Sequence, residues 1–252
     1  MTKRITIAAA ALAVLIFGAA CLAQDEGGAA AENCYAKING IVGTCQTHLK
    51  DAPEDEWKAA ELNQCLNPGD SVRTLEDGKA AVAYGEGVQM RMNASSTLVI
   101  NQQEKSEKID EADLTVGELF TELDKEKDPD SANFRVVTPA GVMAVRGTKF
   151  NVAVDAEGKS DVNVLEGVVS VFNDLGEVLA EAGKATEILK GVLPSTPFDF
   201  DIGAFESKLN EWKDAISIGK VLDAAKKEVE NKVNEVKDSV PTPKNIKKKF
   251  GF

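Results

Sequence analysis

The chain has 252 residues, with 29 Lys+Arg against 41 Asp+Glu and a net charge of −12. Nucleic-acid surfaces work by neutralising phosphates and releasing counterions, so a chain this acidic is a poor candidate for one. Aromatic residues are only 6% of the total, which argues against a stacking platform for sugars or bases.

The first element is a leader. Lys3 and Arg4 precede an apolar run from Ile5 to Phe17, then Gly18-Ala19-Ala20-Cys21-Leu22-Ala23. A basic start, an apolar core and small residues describe a secretory signal peptide, residues 1–23. Cleavage after Ala23 releases a soluble protein, and the competing reading of Gly18 to Cys21 as a lipobox makes Cys21 a lipidation site. Losing Lys3 and Arg4 takes the charge from −12 to −14. Export places the protein in the periplasm or cell envelope and permits a disulfide. Cys34, Cys45 and Cys65 remain, so one is left over; Cys34–Cys45 and Cys45–Cys65 both fit, and spacing does not choose. A metal site is disfavoured, with His48 the single histidine and no Cys-x-x-Cys.

Residues 24–34 are rich in Gly, Ala and acid and read as a flexible spacer. A β domain follows over residues 35–193. Tyr35 to Thr44 predicts a strand, a glycine turn and a second strand. Lys50 to Glu61 predicts a surface insertion with Trp57 folded back onto the sheet. From Leu66 short alternating strands recur every 8 to 12 residues, broken by Gly, Asn and Asp. Gln102 to Asp113 is charged and predicts a loop. Leu114 to Leu123 is ambiguous and leans to strand. The fold class is all-β, a sandwich, roll or short β-helix, with a C-terminal α-helical appendage.

The central stretch is Phe134 to Phe150, F-R-V-V-T-P-A-G-V-M-A-V-R-G-T-K-F. Pro139 removes a ladder donor and Gly141 supplies turn geometry, so the chain bends there. Three short strands fold over each other, with Arg146 and Gly147 at the tightest corner. Beyond the β domain, Pro194 and Pro197 begin a connector over residues 194–203. Phe205, Leu209, Trp212 and Ile216, then Leu222 to Val240, form an apolar stripe at helical spacing over residues 204–240. The stripe either folds onto its own β domain or joins another chain. Residues 241–252 are a basic tail; Lys244, Lys247, Lys248 and Lys249 with two phenylalanines suit a weak contact with an anionic membrane surface.

T-P-x-G-x-x-x-x-R-G-T-x-F, an alternating strand and Leu165-Glu166-Gly167-Val168-Val169 resemble the FecR domain of bacterial envelope proteins. Leu66-Asn67-Pro68-Gly69-Asp70-Ser71-Val72-Arg73-Thr74 and Leu114-Thr115-Val116-Gly117-Glu118-Leu119 are similar to its earlier strands. The motif residues are thus Thr138, Pro139, Gly141, Arg146, Gly147, Thr148, Phe150 and Gly167, for which the residues themselves indicate structural roles. No G-x-S-x-G, Walker loop or H-E-x-x-H stands in the chain, so no catalytic residue and no cofactor is expected. The resemblance implies an exported, non-enzymatic module presenting a β-platform to an envelope protein or cell-wall component. Its alternatives are self-association through residues 204–240 and an envelope-side sensor in a sigma-factor system.

Overall fold

The computed structural model describes residues 34–104, 108–124, 126, 134–145, 147–217 and 232–233. Residues 1–33, including the leader, Cys21 and most of the spacer, lie outside them, as do Arg146 and the basic tail. No helix among the described residues is long and apolar enough to cross a membrane.

The described chain is mostly β-strand. In order these are β1 Ala36–Val42, β2 Cys45–His48, β3 Lys58–Ala59, β4 Cys65–Leu66, β5 Ser71–Thr74, β6 Lys79–Tyr84, β7 Val88–Met92, β8 Thr97–Glu104 and β9 Lys108–Leu123. There follow β10 Phe134–Val137, β11 Val142–Val145, β12 Lys149–Val154, β13 Ser160–Glu166, β14 Val168–Asn173, β15 Gly176–Glu181, β16 Lys184–Ile188 and β17 Phe198–Asp199. They pair into two open layers. The first runs β4-β1-β6-β7-β9-β12-β13-β16-β17. The second runs β3-β2-β5-β8-β9-β10-β11-β14-β15.

Strand β9 belongs to both. Its first half pairs with β8 and, in parallel, with β10; its second half pairs with β7 and β12. The switch falls at Gly117, whose φ is +99°. A Cβ there would also overlap Ser96. Ser96 fills the corner instead, its Oγ accepting the Glu118 amide at 2.9 Å. Only glycine combines that dihedral with so close an approach.

Around this corner the chain winds in hairpins: β10–β11 in the second layer, β12–β13 in the first, β14–β15 in the second and β16–β17 in the first. Alternate residues point inward, as the pleat requires. One hydrophobic cluster therefore draws Ile38, Val82, Met90, Leu119 and Val152 from the first layer and Val72, Leu98, Leu114, Val136 and Val171 from the second.

Four local expectations need correction. The predicted turn at Gly40 is a bulge within one strand: the partner of β1 shifts by one residue between Ile38 and Gly40, and the true turn comes at Gly43–Thr44. The charged stretch 102–113 is largely strand, because β8 and the start of β9 form a ladder out to Glu104↔Lys108. Cross-strand pairing there overrides a polar composition. Strand character also persists past residue 193, since Phe198–Asp199 pairs with β16. The disulfide is Cys34–Cys65, with Cα atoms 5.2 Å apart. Neither expected pairing forms: β1 lies beside β4 and brings Cys34 to Cys65, while Cys45 points into the core as a buried free thiol.

Candidate interaction surface

Three features compete as the functional surface: the family-like motif, the face beneath the helix, and an exposed edge. The motif proves to be corner chemistry. Thr138 closes the β10–β11 turn, its amide donating to the Gly141 carbonyl at 2.9 Å. The Ser160 hydroxyl donates to buried Thr138 Oγ1 at 2.8 Å, tying this turn to β13. Pro139 is exposed at the turn's tip. Gly167, at φ +84°, makes the step from β13 to β14. A Cβ there would stand 2.8 Å from the Gly147 carbonyl and 2.7 Å from the Thr148 methyl. The Thr148 carbonyl accepts the Leu123 amide at 2.9 Å, and Phe150 is fully buried in the core. Thr138, Gly167, Thr148 and Phe150 are thus engaged in turns, ladder bonds or the core, and Thr138 ties the two layers together through Ser160.

The outer face of the first layer carries the helix. Asp201 caps it: its Oδ1 accepts the Ala204 amide at 3.1 Å. This caps the orphan amides of a helix start, so Asp201 has a local structural role. Asp199, its near neighbour, pairs with Lys184 at 2.6 Å. The helix, α1 (202–217), lays Leu209, Trp212 and Ile216 against the sheet, with Trp212 and Ile216 around Ala81 and Val42. Trp212 Nε1 donates to the Met92 carbonyl at 3.1 Å. This part of the apolar stripe therefore covers its own β domain and offers little to another chain; most of residues 218–240 lie outside the described residues.

Between α1 and the sheet is a cleft of about 170 Å³, lined by Arg91, Asn93, Glu118, Phe120, Asn151 and Lys208 among others. Glu118 is its hub. It accepts hydrogen bonds from Lys208 at 2.8 Å, Asn93 at 2.8 Å and Asn151 at 3.2 Å. Burial pushes its carboxyl up, but these bonds and the Lys208 charge outweigh burial and hold it below its ordinary value. Arg91 sits over Phe120 and pairs with Glu122 at 3.0 Å. Glu118 and Lys208 pair across the cleft between sheet and helix, so it works as a seam that docks the helix. The sequence marked Glu118 only as part of the family-like stretch Leu114–Leu119, with no sign that it would be the hub of a cleft.

The edge is different. Both edges of the first layer and one edge of the second end in the two-residue strands β4, β17 and β3. The fourth edge is β15, six residues long and, among the described residues, paired only with β14. Such a strand leaves a row of backbone donors and acceptors open to another chain. Leu179 is 61% exposed on it and Leu175, in the preceding turn, is 56% exposed. Cross-strand register places Leu179 opposite Ser170 and Glu181 opposite exposed Val168, all on the outer face. The connector adds exposed Val192 and Leu193 beside the β14–β15 turn, where Asn173 Nδ2 donates to the Val192 carbonyl at 2.6 Å. Sequence reading missed this patch, because an exposed Leu in an alternating strand is indistinguishable from a core-facing one.

Trp57, expected on the sheet, reaches the second layer, with the Arg73 guanidinium 4.0 Å from its ring centre. No cluster of His, Cys, Asp and Glu suited to a metal ion occurs among the described residues.

The family comparison matches the description "FecR protein" over residues 70–170. Those residues form a FecR domain. The match begins in the turn before β5 and ends within β14, so it contains β9 with Gly117, the β10–β11 turn and Gly167. No curated protein matches the sequence. Two crystal structures of a proposed anti-sigma factor from Parabacteroides distasonis ATCC 8503 are similar at 17% and 18% identity, with TM-scores of 0.46 and 0.45. Each alignment covers 55% of this chain and 64% or 63% of the other, so this chain spans less than two thirds of their length. Strand β15 lies just beyond the matched residues.

Proposed function

We propose that the chain is an exported, non-enzymatic interaction module whose FecR domain carries a contact surface for a protein partner, formed by β15 and the adjoining outer face of the second layer. The observation that supports this most is the contrast between edges: three end in two-residue strands, and one offers six residues with Leu179 in the open. An extended partner segment gains main-chain hydrogen bonds along such an edge and side-chain specificity from alternate positions. Export rests on the leader of residues 1–23, with either Cys21 or Gln24 as the first residue of the mature protein.

The family match favours one setting, the envelope-side sensor of a sigma-factor system, over a wall scaffold. There the partner is a receptor or signalling protein, and occupancy of the edge is the signal. The test is capture from envelope extract by the intact chain and by the variant Val168→Lys/Leu179→Lys. Both side chains are exposed, so the thermal midpoint stays within about 2 °C. Capture of a discrete protein should fall at least tenfold in the variant. Equal capture by both, or none by either, overturns the reading.

A further inference from the structure

We infer that the segment docking on β15 is a basic extended strand of a separate protein, with a lysine or arginine two residues to either side of an apolar residue. The inference deepens the reading of β15 as the contact edge and rests on it. Three observations carry it.

The first is which backbone groups the edge offers. The β14–β15 hairpin sets Asn173 opposite Gly176, Val171 opposite Val178 and Val169 opposite Ala180. A two-residue turn makes its closing pair hydrogen-bonded, and such pairs then recur at every second residue. The Ala182 amide donates to the Gly167 carbonyl at 3.0 Å, in the same register. Even-numbered residues of β15 therefore bond to β14, and Glu177, Leu179 and Glu181 turn their N–H and C=O groups away from it. Leu193 closes the turn end, since a Cβ on Gly176 would stand 2.6 Å from its Cδ2. The usable edge thus runs from Glu177 to Glu181. The three residues that offer backbone bonds also carry their side chains on the exposed outer face.

The second is charge. On the first-layer strands Glu118, Glu122, Asp161, Glu166, Glu187 and Asp199 each pair with a lysine or arginine. Asp161 and Glu187 even stand directly opposite each other, with Lys159 bonded to both. Among the described residues no cation pairs with Glu177 or Glu181. The Ser170 hydroxyl donates to Glu177 at 2.6 Å, which fixes the carboxylate and leaves its charge. An added antiparallel strand faces Glu177, Leu179 and Glu181 with its own alternate residues. Opposite charges and apolar side chains directly across strands are the pairs that stabilise a sheet. The matching segment is therefore basic, apolar and basic at alternate positions.

The third is exclusion of a second copy. Two β15 strands pairing antiparallel about Leu179 would set Glu177 against Glu181 on both sides of the centre. Like charges directly opposite are destabilising. Pairing about Val178 instead would set each Glu177 against the other copy's Leu179, a charge against an apolar side chain.

Titration of the full chain with a fluorescent peptide T-K-T-L-T-K-T, read by anisotropy, tests the inference. Two further peptides accompany it: T-E-T-L-T-E-T, and T-K-K-L-T-T-T, which keeps the composition and breaks the spacing. An acidic chain attracts any basic peptide, so the last comparison isolates the register. The spaced lysine peptide should bind about tenfold more tightly than the glutamate peptide and about fivefold more tightly than the broken one. Glu177→Lys/Glu181→Lys, at two exposed positions, should turn the preference towards the glutamate peptide. No binding of the lysine peptide, no advantage for its spacing, or an unreversed preference in the variant would each overturn the inference. So would a chain that sediments as a dimer and is made monomeric by Leu179→Lys, since the occupant would then be a second copy. Equal binding of lysine and glutamate peptides, lost in Leu179→Lys, would remove the basic partner and leave β15 standing as the contact edge.

Discussion

Glu118 shows how one residue links the fold to the cleft. It follows Gly117, the dihedral that passes β9 from one layer to the other, and its side chain anchors Lys208 of α1. Because its folded-state pKa is depressed, its contribution to stability is present above its ordinary value of 4.5 and is lost as pH falls through the folded value. Acidification below about pH 4.5 should therefore loosen α1 from the sheet, and Trp212 fluorescence should shift to the red. Glu118→Gln should weaken docking at neutral pH and flatten this acid dependence. A wild-type profile as flat as the variant's would remove Glu118 from the seam. The glycine that precedes it was legible as a family position, but its reason was not: the overlap with Ser96 is a contact between residues 21 apart in sequence.

At the scale of elements, α1 is held mainly by apolar burial. Leu209, Trp212 and Ile216 are all more than 90% buried. Removing a buried aromatic costs about 3–5 kcal/mol in a closed core. Here the loss cannot exceed the docking free energy of the helix, because α1 can detach while the sheets stay folded. Trp212→Ala should therefore make residues 204–217 protease-sensitive while leaving the main urea transition of the β domain in place. A variant that unfolds in one step with a much lower midpoint would show that helix and sheets form a single cooperative unit. The helical stripe was legible from its spacing of three and four. The β8–β9 hairpin was not, since its charged outer residues hide a ladder fixed by long-range pairing. The corner strands β10, β11 and β12 were legible because proline and glycine punctuate them at fixed positions.

For the molecule as a whole, the sequence limited the cysteines to one bridge and one leftover, and topology chose between them. Strand β4 has to return beside β1 before Cys65 can reach Cys34, and nothing in the spacing announces that. Burial pushes the Cys45 thiol up to about 11, so little thiolate is present near neutral pH. The native exported protein should take up no alkylating reagent within minutes, and one equivalent after unfolding without reductant. Two or three reactive thiols in the native protein would contradict the Cys34–Cys65 bridge. The same topology sets the surface. Winding by hairpins between two layers ends three edges in two-residue strands and leaves β15 open, a property of the assembled sheets that no single strand's sequence carries.

The central claim is that this open edge is where the molecule meets its partner. Photocross-linking in intact cells, with a photoreactive residue replacing Leu179 in one chain and Leu62 in another, tests it most directly. Leu62 is 39% exposed but lies away from the edge, in the link between the short strands β3 and β4. A discrete intermolecular adduct from position 179 and none from position 62 is the predicted result. Identical adduct patterns from both positions, or no intermolecular adduct from 179, would contradict the account.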